Sequence, residues 1–255
     1  PGSSVAVDLM RGDAQVSAIG TVTWRDGNRV LLFGHTLFQA GDVRLPLSTA
    51  SIVTVVASEY SSFKLGGRGR EIGVVGQDRR SGAAGRLDQR ARMLPMSVAI
   101  EGLRPTPQRF RFELVEDRAL APTLAAVATS NSLMESGGAA GNQTLAWTLR
   151  LHRPTGSPLT LSDFAAGDAP VADVAGGVNG PLAFLFGNPY TRLALDSLEI
   201  AVRAVPGRAQ WTLRRARALR AAVRPGGSVG IECVLDRWRG GTETRRLELR
   251  VPEEL

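Results

Sequence analysis

Apolar and polar residues alternate with a period of two along much of this chain, in short runs closed by Gly, Asp, Pro or Ser. That period puts successive side chains on opposite faces of a strand. In the first half the runs predict strands at Val5–Leu9, Gln15–Trp24, Arg29–Phe33, Ala50–Val56, Glu71–Gly76, Arg92–Ile100 and Gln108–Val115. The heavy β-branching of Ala50–Ala57 predicts a buried strand. Leu65-Gly-Gly-Arg-Gly-Arg70 reads as a flexible connection, because it lacks the spacing and lysine of a phosphate-binding loop. A second batch of strands is predicted at Thr144–Leu151, Asp196–Val205, Ala209–Leu219, Ser228–Asp236 and Thr242–Val251.

Between the batches the pattern changes. Pro122–Glu135 predicts a helix, with Pro122 in its first turn, Gly137-Gly138 behind it, and Leu124, Val127, Ala128, Leu133 and Met134 as its apolar stripe. Ala166–Gly180 is small and Gly-rich and predicts a mobile loop. Pro181–Leu195 predicts a short helix interrupted at Gly187-Asn-Pro189. The expected organisation is therefore mostly β: a β-barrel over residues 1–120, a helical connector over 121–143, and an immunoglobulin-like β-sandwich over 144–255.

Composition narrows the picture modestly. No apolar run approaches a membrane span. The net charge of +7 comes almost wholly from arginine, since Lys64 is the only lysine. One basic patch, Arg208, Arg214, Arg215, Arg217, Arg220 and Arg224 around Trp211, reads as a solvated face, and no nucleic-acid partner is expected. Cys233 is the sole cysteine and reads as a small buried hydrophobe. With two histidines far apart, no metal or cofactor is expected.

The stretch with chemistry in it is Gly20-Thr-Val-Thr-Trp-Arg-Asp-Gly-Asn28 followed by Arg29-Val-Leu-Leu-Phe-Gly-His35. Asp26-Gly27 between two β-prone runs predicts a hairpin. Arg29–Phe33 is apolar almost throughout, so both its faces are expected to be covered. Gly34 then lets the chain bend, delivering His35 at the rim of a sheet, where a general base is usefully held. The other histidine, His152, lies in a polar Leu-His-Arg-Pro stretch.

Taken with Pro1-Gly-Ser-Ser-Val-Ala-Val-Asp-Leu-Met-Arg-Gly-Asp13, Leu45-Pro46, Ser62-Phe-Lys-Leu65, Gly76-Gln-Asp-Arg-Arg-Ser-Gly-Ala-Ala-Gly-Arg86 and Met93-Leu-Pro-Met-Ser-Val98, these residues resemble the SpoIVB-type (stage IV sporulation protein B) serine peptidase family. The likeness covers roughly the first 115 residues. It implies a trypsin-like barrel, peptide hydrolysis through an acyl-enzyme, and a bacterial protein working in the periplasm or outside the cell. It implies the base role for His35; for the acid that orients it, Asp78 lies in the family-like Gln-Asp-Arg, and Asp42, close to His35 in sequence, is the alternative.

The chain departs from the family at the nucleophile, because the family's Gly-Met-Ser-Gly-Ser-Pro motif is missing. Arg153-Pro-Thr-Gly-Ser-Pro158 carries Thr155 in a comparable place but reads as a hairpin turn. Ser81, in a glycine-rich bend, is a second weak substitute. The expectation is that the serine sits in a segment upstream of Pro1, that this chain alone is inactive, and that its partners are that segment and a protein or peptide substrate. The competing expectation is a peptidase-like scaffold without activity.

Overall fold

The computed structural model describes residues 1–60, 62–138, 142–191 and 193–254. Residues 139–141 of the expected connector and residue 192 of the expected short helix therefore lie outside it. Its strands are β1 (Ser4–Gly12), β2 (Val16–Asp26), β3 (Arg29–Leu32), β4 (Gly41–Val56), β5 (Phe63–Arg79), β6 (Gly82–Arg86), β7 (Met93–Glu101), β8 (Gln108–Val115), β9 (Gln143–His152), β10 (Leu159–Ala165), β11 (Ser197–Pro206), β12 (Trp211–Ala218), β13 (Ser228–Arg237) and β14 (Thr242–Arg250). Its helices are α1 (Leu120–Glu135) and α2 (Pro170–Phe186). The fold is mostly β, with α1 between the two batches of strands.

The strand order β1-β2-β3-β6-β5-β4 closes on itself through pairing of β4 with β1, forming a barrel. Val5, Val7, Leu32, Leu45, Leu47 and Val75 fill it, each almost or wholly without exposure. Beyond β1 the same sheet runs on through β8, β7, β11, β9 and β10. β11 joins β7 in parallel, with Leu198 beside Met96 and Val202 beside Ile100. The sheet thus does not divide at residues 121–143. β9 to β11 belong with the first half of the chain, and β12 to β14 alone form a separate sheet. Hydrogen bonding between β7 and β11 was invisible in the sequence because it joins runs a hundred residues apart.

Three further expectations change. First, one helix spans Pro170–Phe186, so the expected mobile loop is helical from Pro170 to Gly180, while the expected short helix from Pro181 does stop at Gly187. Pro170 sits at its start, where no donor is needed. Val174, Val178, Leu182 and Phe186 recur every fourth residue and are buried. Gly177 is small because Trp147 packs there: a Cβ would lie 2.4 Å from the indole. Second, the glycines of Leu65–Arg70 are part of β5 and serve close strand approach. A Cβ on Gly66 would meet the Ser51 carbonyl oxygen at 2.3 Å, and one on Gly69 the Thr49 hydroxyl at 2.4 Å. Third, the outer half of β4 is not buried, as Val53 is 79% exposed. β4 pairs with β1 only from Leu47 to Thr49, so beyond that it has β5 as its one neighbour. β-branching fits a pleated surface whether or not that surface is covered.

α1 begins near its predicted start, with Asp117 Oδ1 accepting from the Ala119 and Leu120 amides at 2.9 and 3.0 Å. Its stripe is rotated from the expected one: Val127 and Met134 are exposed, while Thr129 and Ser132 face inward. Their hydroxyls donate to the Ala125 and Ala128 carbonyls at 2.7 and 2.8 Å, which makes them acceptable in the interior. In β12–β14 the buried Cys233 shares an apolar face with Leu213, Leu247 and Leu249, each more than half exposed. No helix among the described residues is long and apolar enough to cross a membrane.

Candidate active site

The histidine hairpin is built much as its residues suggest. Gly27-Asn28 makes the turn, one residue later than expected, with Gly27 at φ +54° and Asp26 paired to Arg29. β3 is covered on one face only: Val30 and Leu32 are buried, and Leu31 is 45% exposed. The strand then stops abruptly. Phe33 donates its amide to the Thr21 carbonyl at 3.0 Å, and Gly34 donates back to Leu32 at 2.9 Å. This closes a tight γ-turn on Phe33, whose φ of +70° is strained for a residue with a side chain. Gly34, at φ +76°, takes the second left-handed position without penalty.

Gly20 is what makes room for this turn. The Phe33 ring lies where a Gly20 side chain would be, 2.2 Å from the position of a Cβ. The His35 ring meets Phe33 edge-on, with centroids 5.6 Å apart. His35 is exposed, and its Nδ1 lies 2.8 Å from the Thr36 carbonyl oxygen. A carbonyl only accepts, so that nitrogen carries the proton in the neutral ring. Nε2 then holds the lone pair and has no hydrogen-bond partner among the described residues.

Asp78 does not touch the imidazole. It has no exposed surface, and its carboxylate gathers the loop that follows the histidine. Oδ1 accepts from the Thr36 hydroxyl at 3.0 Å and the Leu37 amide at 2.8 Å. Oδ2 accepts from the Phe38 and Ala40 amides at 2.7 and 3.3 Å. Burial works to raise its pKa, but these backbone and hydroxyl donors outweigh it and hold the carboxyl below the usual range. The group nearest the orienting role is the Thr36 carbonyl, and Asp78 fixes it at one remove. Thr36 Oγ1 also accepts from the Gln39 amide at 2.6 Å, closing the loop on itself.

The other candidates fall elsewhere. Asp42 is a surface residue bonded to Gln77 and Arg79. Ser81 is exposed in the β5–β6 turn, which passes beside Gly34, but no hydrogen bond joins it to His35. Thr155 lies between β9 and β10, at the far edge of the sheet from β3. His152 ends β9 and meets Glu199 at 3.3 Å. In the basic patch, Arg208 pairs with Asp168 and stacks on Trp238 at 3.9 Å, Arg214 pairs with Asp236, and Arg215 and Arg217 share Glu232.

His35 lies on a groove of about 890 Å³ between β2 and the lower half of β5, lined among others by Ile19, Phe33, Leu37, Phe63, Lys64 and Arg68. Beside it is a constellation that the sequence reading did not single out. Asp8, without any exposure, accepts at Oδ2 from Ser48 Oγ at 2.6 Å and from Arg68 Nε at 2.9 Å. Arg68 also donates to Ser48 Oγ at 3.0 Å. An aspartate inside the apolar run Val5-Ala-Val-Asp-Leu-Met10 was the available signal. Ser48 is fully buried, so the cluster braces the β4–β5 hairpin against β1 and offers no accessible nucleophile. No protein family, curated protein or solved structure compared with this chain matches it.

Proposed function

We propose that this chain is the histidine-bearing part of a serine endopeptidase resembling the SpoIVB-type family and working in the periplasm or outside the cell. His35 is its general base. The observation that carries the reading is the ring's setting: Nδ1 lies 2.8 Å from the Thr36 carbonyl oxygen, which assigns it the proton, and Nε2 has no hydrogen-bond partner among the described residues on an exposed ring at a groove. That is the state needed to take a proton from a serine hydroxyl. The serine oxygen then attacks the peptide carbonyl and forms an acyl-enzyme. The imidazolium hands its proton to the leaving amine, and water, deprotonated by the same nitrogen, releases the acid. Asp78 acts as a positioning residue through the loop at residues 36–40.

The serine comes from a segment outside this chain. No hydroxyl is hydrogen-bonded to His35 among the described residues, and the backbone at Gly2 and Ser3 passes near the end of β3. Gly2 and Ser3 bond to Val22 on one side of β2, and Leu32 pairs with Val22 on the other. Two strand spacings, about 10 Å, therefore separate Gly2 from the end of β3. The same lack of a nucleophile favours the second reading, a peptidase-like scaffold.

Labelling of the protein made from the complete reading frame with a fluorophosphonate separates the two. The enzyme predicts labelling that His35→Ala abolishes. The absence of labelling in the unsubstituted protein leaves the scaffold.

A further inference from the structure

The groove holds an unused sheet edge. β2 pairs with β1 along Val16–Thr21, but β3 reaches its other edge only from Val22 onward, where it meets Leu32. The chain leaves the sheet at the Phe33 γ-turn, so on the edge away from β1 the backbone of β2 from Val16 to Gly20 has no strand beside it among the described residues. β5 is in the same position: among the described residues it pairs from Phe63 to Gly73 with β4 alone, and β6 joins only at Val74. The β2 stretch and, from β5, Phe63–Arg68 line the groove that holds His35. Free strand edges are the standard receptor for an extended peptide, whose backbone supplies the missing ladder.

The charges say what such a peptide should carry. Among the described lining residues there is no aspartate or glutamate, while Lys64, Arg68 and His35 are all present. Arg68 is already matched by Asp8 beneath it. Lys64 is not matched: its ammonium reaches across to Thr21 Oγ1 at 2.7 Å, and it forms no ion pair among the described residues. A cation held on the wall of a groove, bonded only to a neutral hydroxyl, is complementary to a carboxylate entering that groove.

We infer that the groove binds an extended peptide segment, added as a strand to the free edge of β2 over Val16–Gly20, with an acidic side chain paired to Lys64. Binding stands on the groove itself. That the bound segment is the substrate cleaved beside His35 rests on the proposed function.

The test uses this chain and three fluorescein-labelled hexapeptides, Thr-Val-Xaa-Val-Thr-Val, with Xaa glutamate, glutamine or lysine, read by fluorescence anisotropy. The glutamate peptide should bind roughly fivefold more tightly than the glutamine one, the worth of one partly exposed ion pair, and the lysine peptide most weakly. Lys64→Gln should level the first two, and Lys64→Glu should reverse the order of the glutamate and lysine peptides. N-methylation of alternate backbone amides in the glutamate peptide should abolish binding. Equal affinity for all three peptides, indifference to N-methylation, or no binding would overturn the inference. If the pattern holds while the complete protein escapes fluorophosphonate labelling, the peptidase reading fails and the binding site stands. Labelling without the charge preference would leave the peptidase standing and remove the acidic-peptide site.

Discussion

Asp78→Asn isolates the device that holds the histidine loop. In the native chain both carboxylate oxygens accept, Oδ1 from Thr36 and Leu37 and Oδ2 from Phe38 and Ala40. An asparagine matches only one of these oxygens. Its NH₂ must face one pair of donors, and the lost bonds were charge-assisted and buried. At about 1.5–3 kcal/mol each, and allowing for relaxation of the loop, the change should cost about 3 kcal/mol. That corresponds to roughly a hundredfold in loop opening. Amide hydrogen exchange reads it directly, because Leu37, Phe38 and Ala40 owe their protection to this one side chain. Their exchange should accelerate by that factor, while core amides such as those of Val7 and Leu47 change far less. The ¹⁵N shifts of His35 should move from the Nδ1–H tautomer toward a mixture. Acid provides the matching control. The carboxyl pKa is depressed on folding, so its stabilisation is complete above the unfolded value of about 3.9 and is lost as pH falls through the lower folded value. Protection in the native chain should therefore survive at pH 4 and fail only below it. Unchanged exchange at Leu37 and Phe38 in Asp78→Asn would refute the reasoning.

Two further substitutions test the parts around the loop. Gly20→Ala puts a methyl group 2.2 Å from the Phe33 ring; it should cost about 1–3 kcal/mol by overpacking, lower Tm, and shift the His35 ring protons, and an unaltered Tm would show that Phe33 is free to move. Arg68→Ala strips the buried Asp8 carboxylate of its counter-charge and should cost about 3–5 kcal/mol in urea unfolding. The triple change Asp8→Leu, Ser48→Ala, Arg68→Met should recover most of that, and a loss under about 1 kcal/mol for Arg68→Ala alone would count against the brace.

Much of the fold was legible because its signals are local. The period-two runs marked β1, β2, β7, β8, β9 and β11 within a few residues, and Asp26-Gly27 marked the histidine hairpin to within one residue. Of the candidate residues, the sequence placed two in one neighbourhood. His35 is exposed at a groove, and Asp78 is engaged with the loop next to it. The candidates also misled: Asp78 grips backbone amides rather than the ring, because which donors converge on a carboxylate depends on where a strand forty residues away is laid down. The glycines of β5 and α2 misled for a related reason. A glycine that permits close approach of Ser51 or Trp147 is indistinguishable, in one dimension, from a glycine that permits motion.

The sequence alone therefore determined a β-rich chain, a helix between two batches of strands, and an imidazole after a glycine at a strand end, because each depends on the spacing of neighbours. The tertiary structure decided what those parts amount to. It closed the barrel through β1 and β4, drew β9 to β11 into the first sheet, tied the loop to Asp78, and, among the described residues, left the Val16–Gly20 edge of β2 without a second strand near His35. Backbone donors and acceptors carry no side-chain signature, so whether a strand finds a partner on its second edge is settled only when the chain is folded.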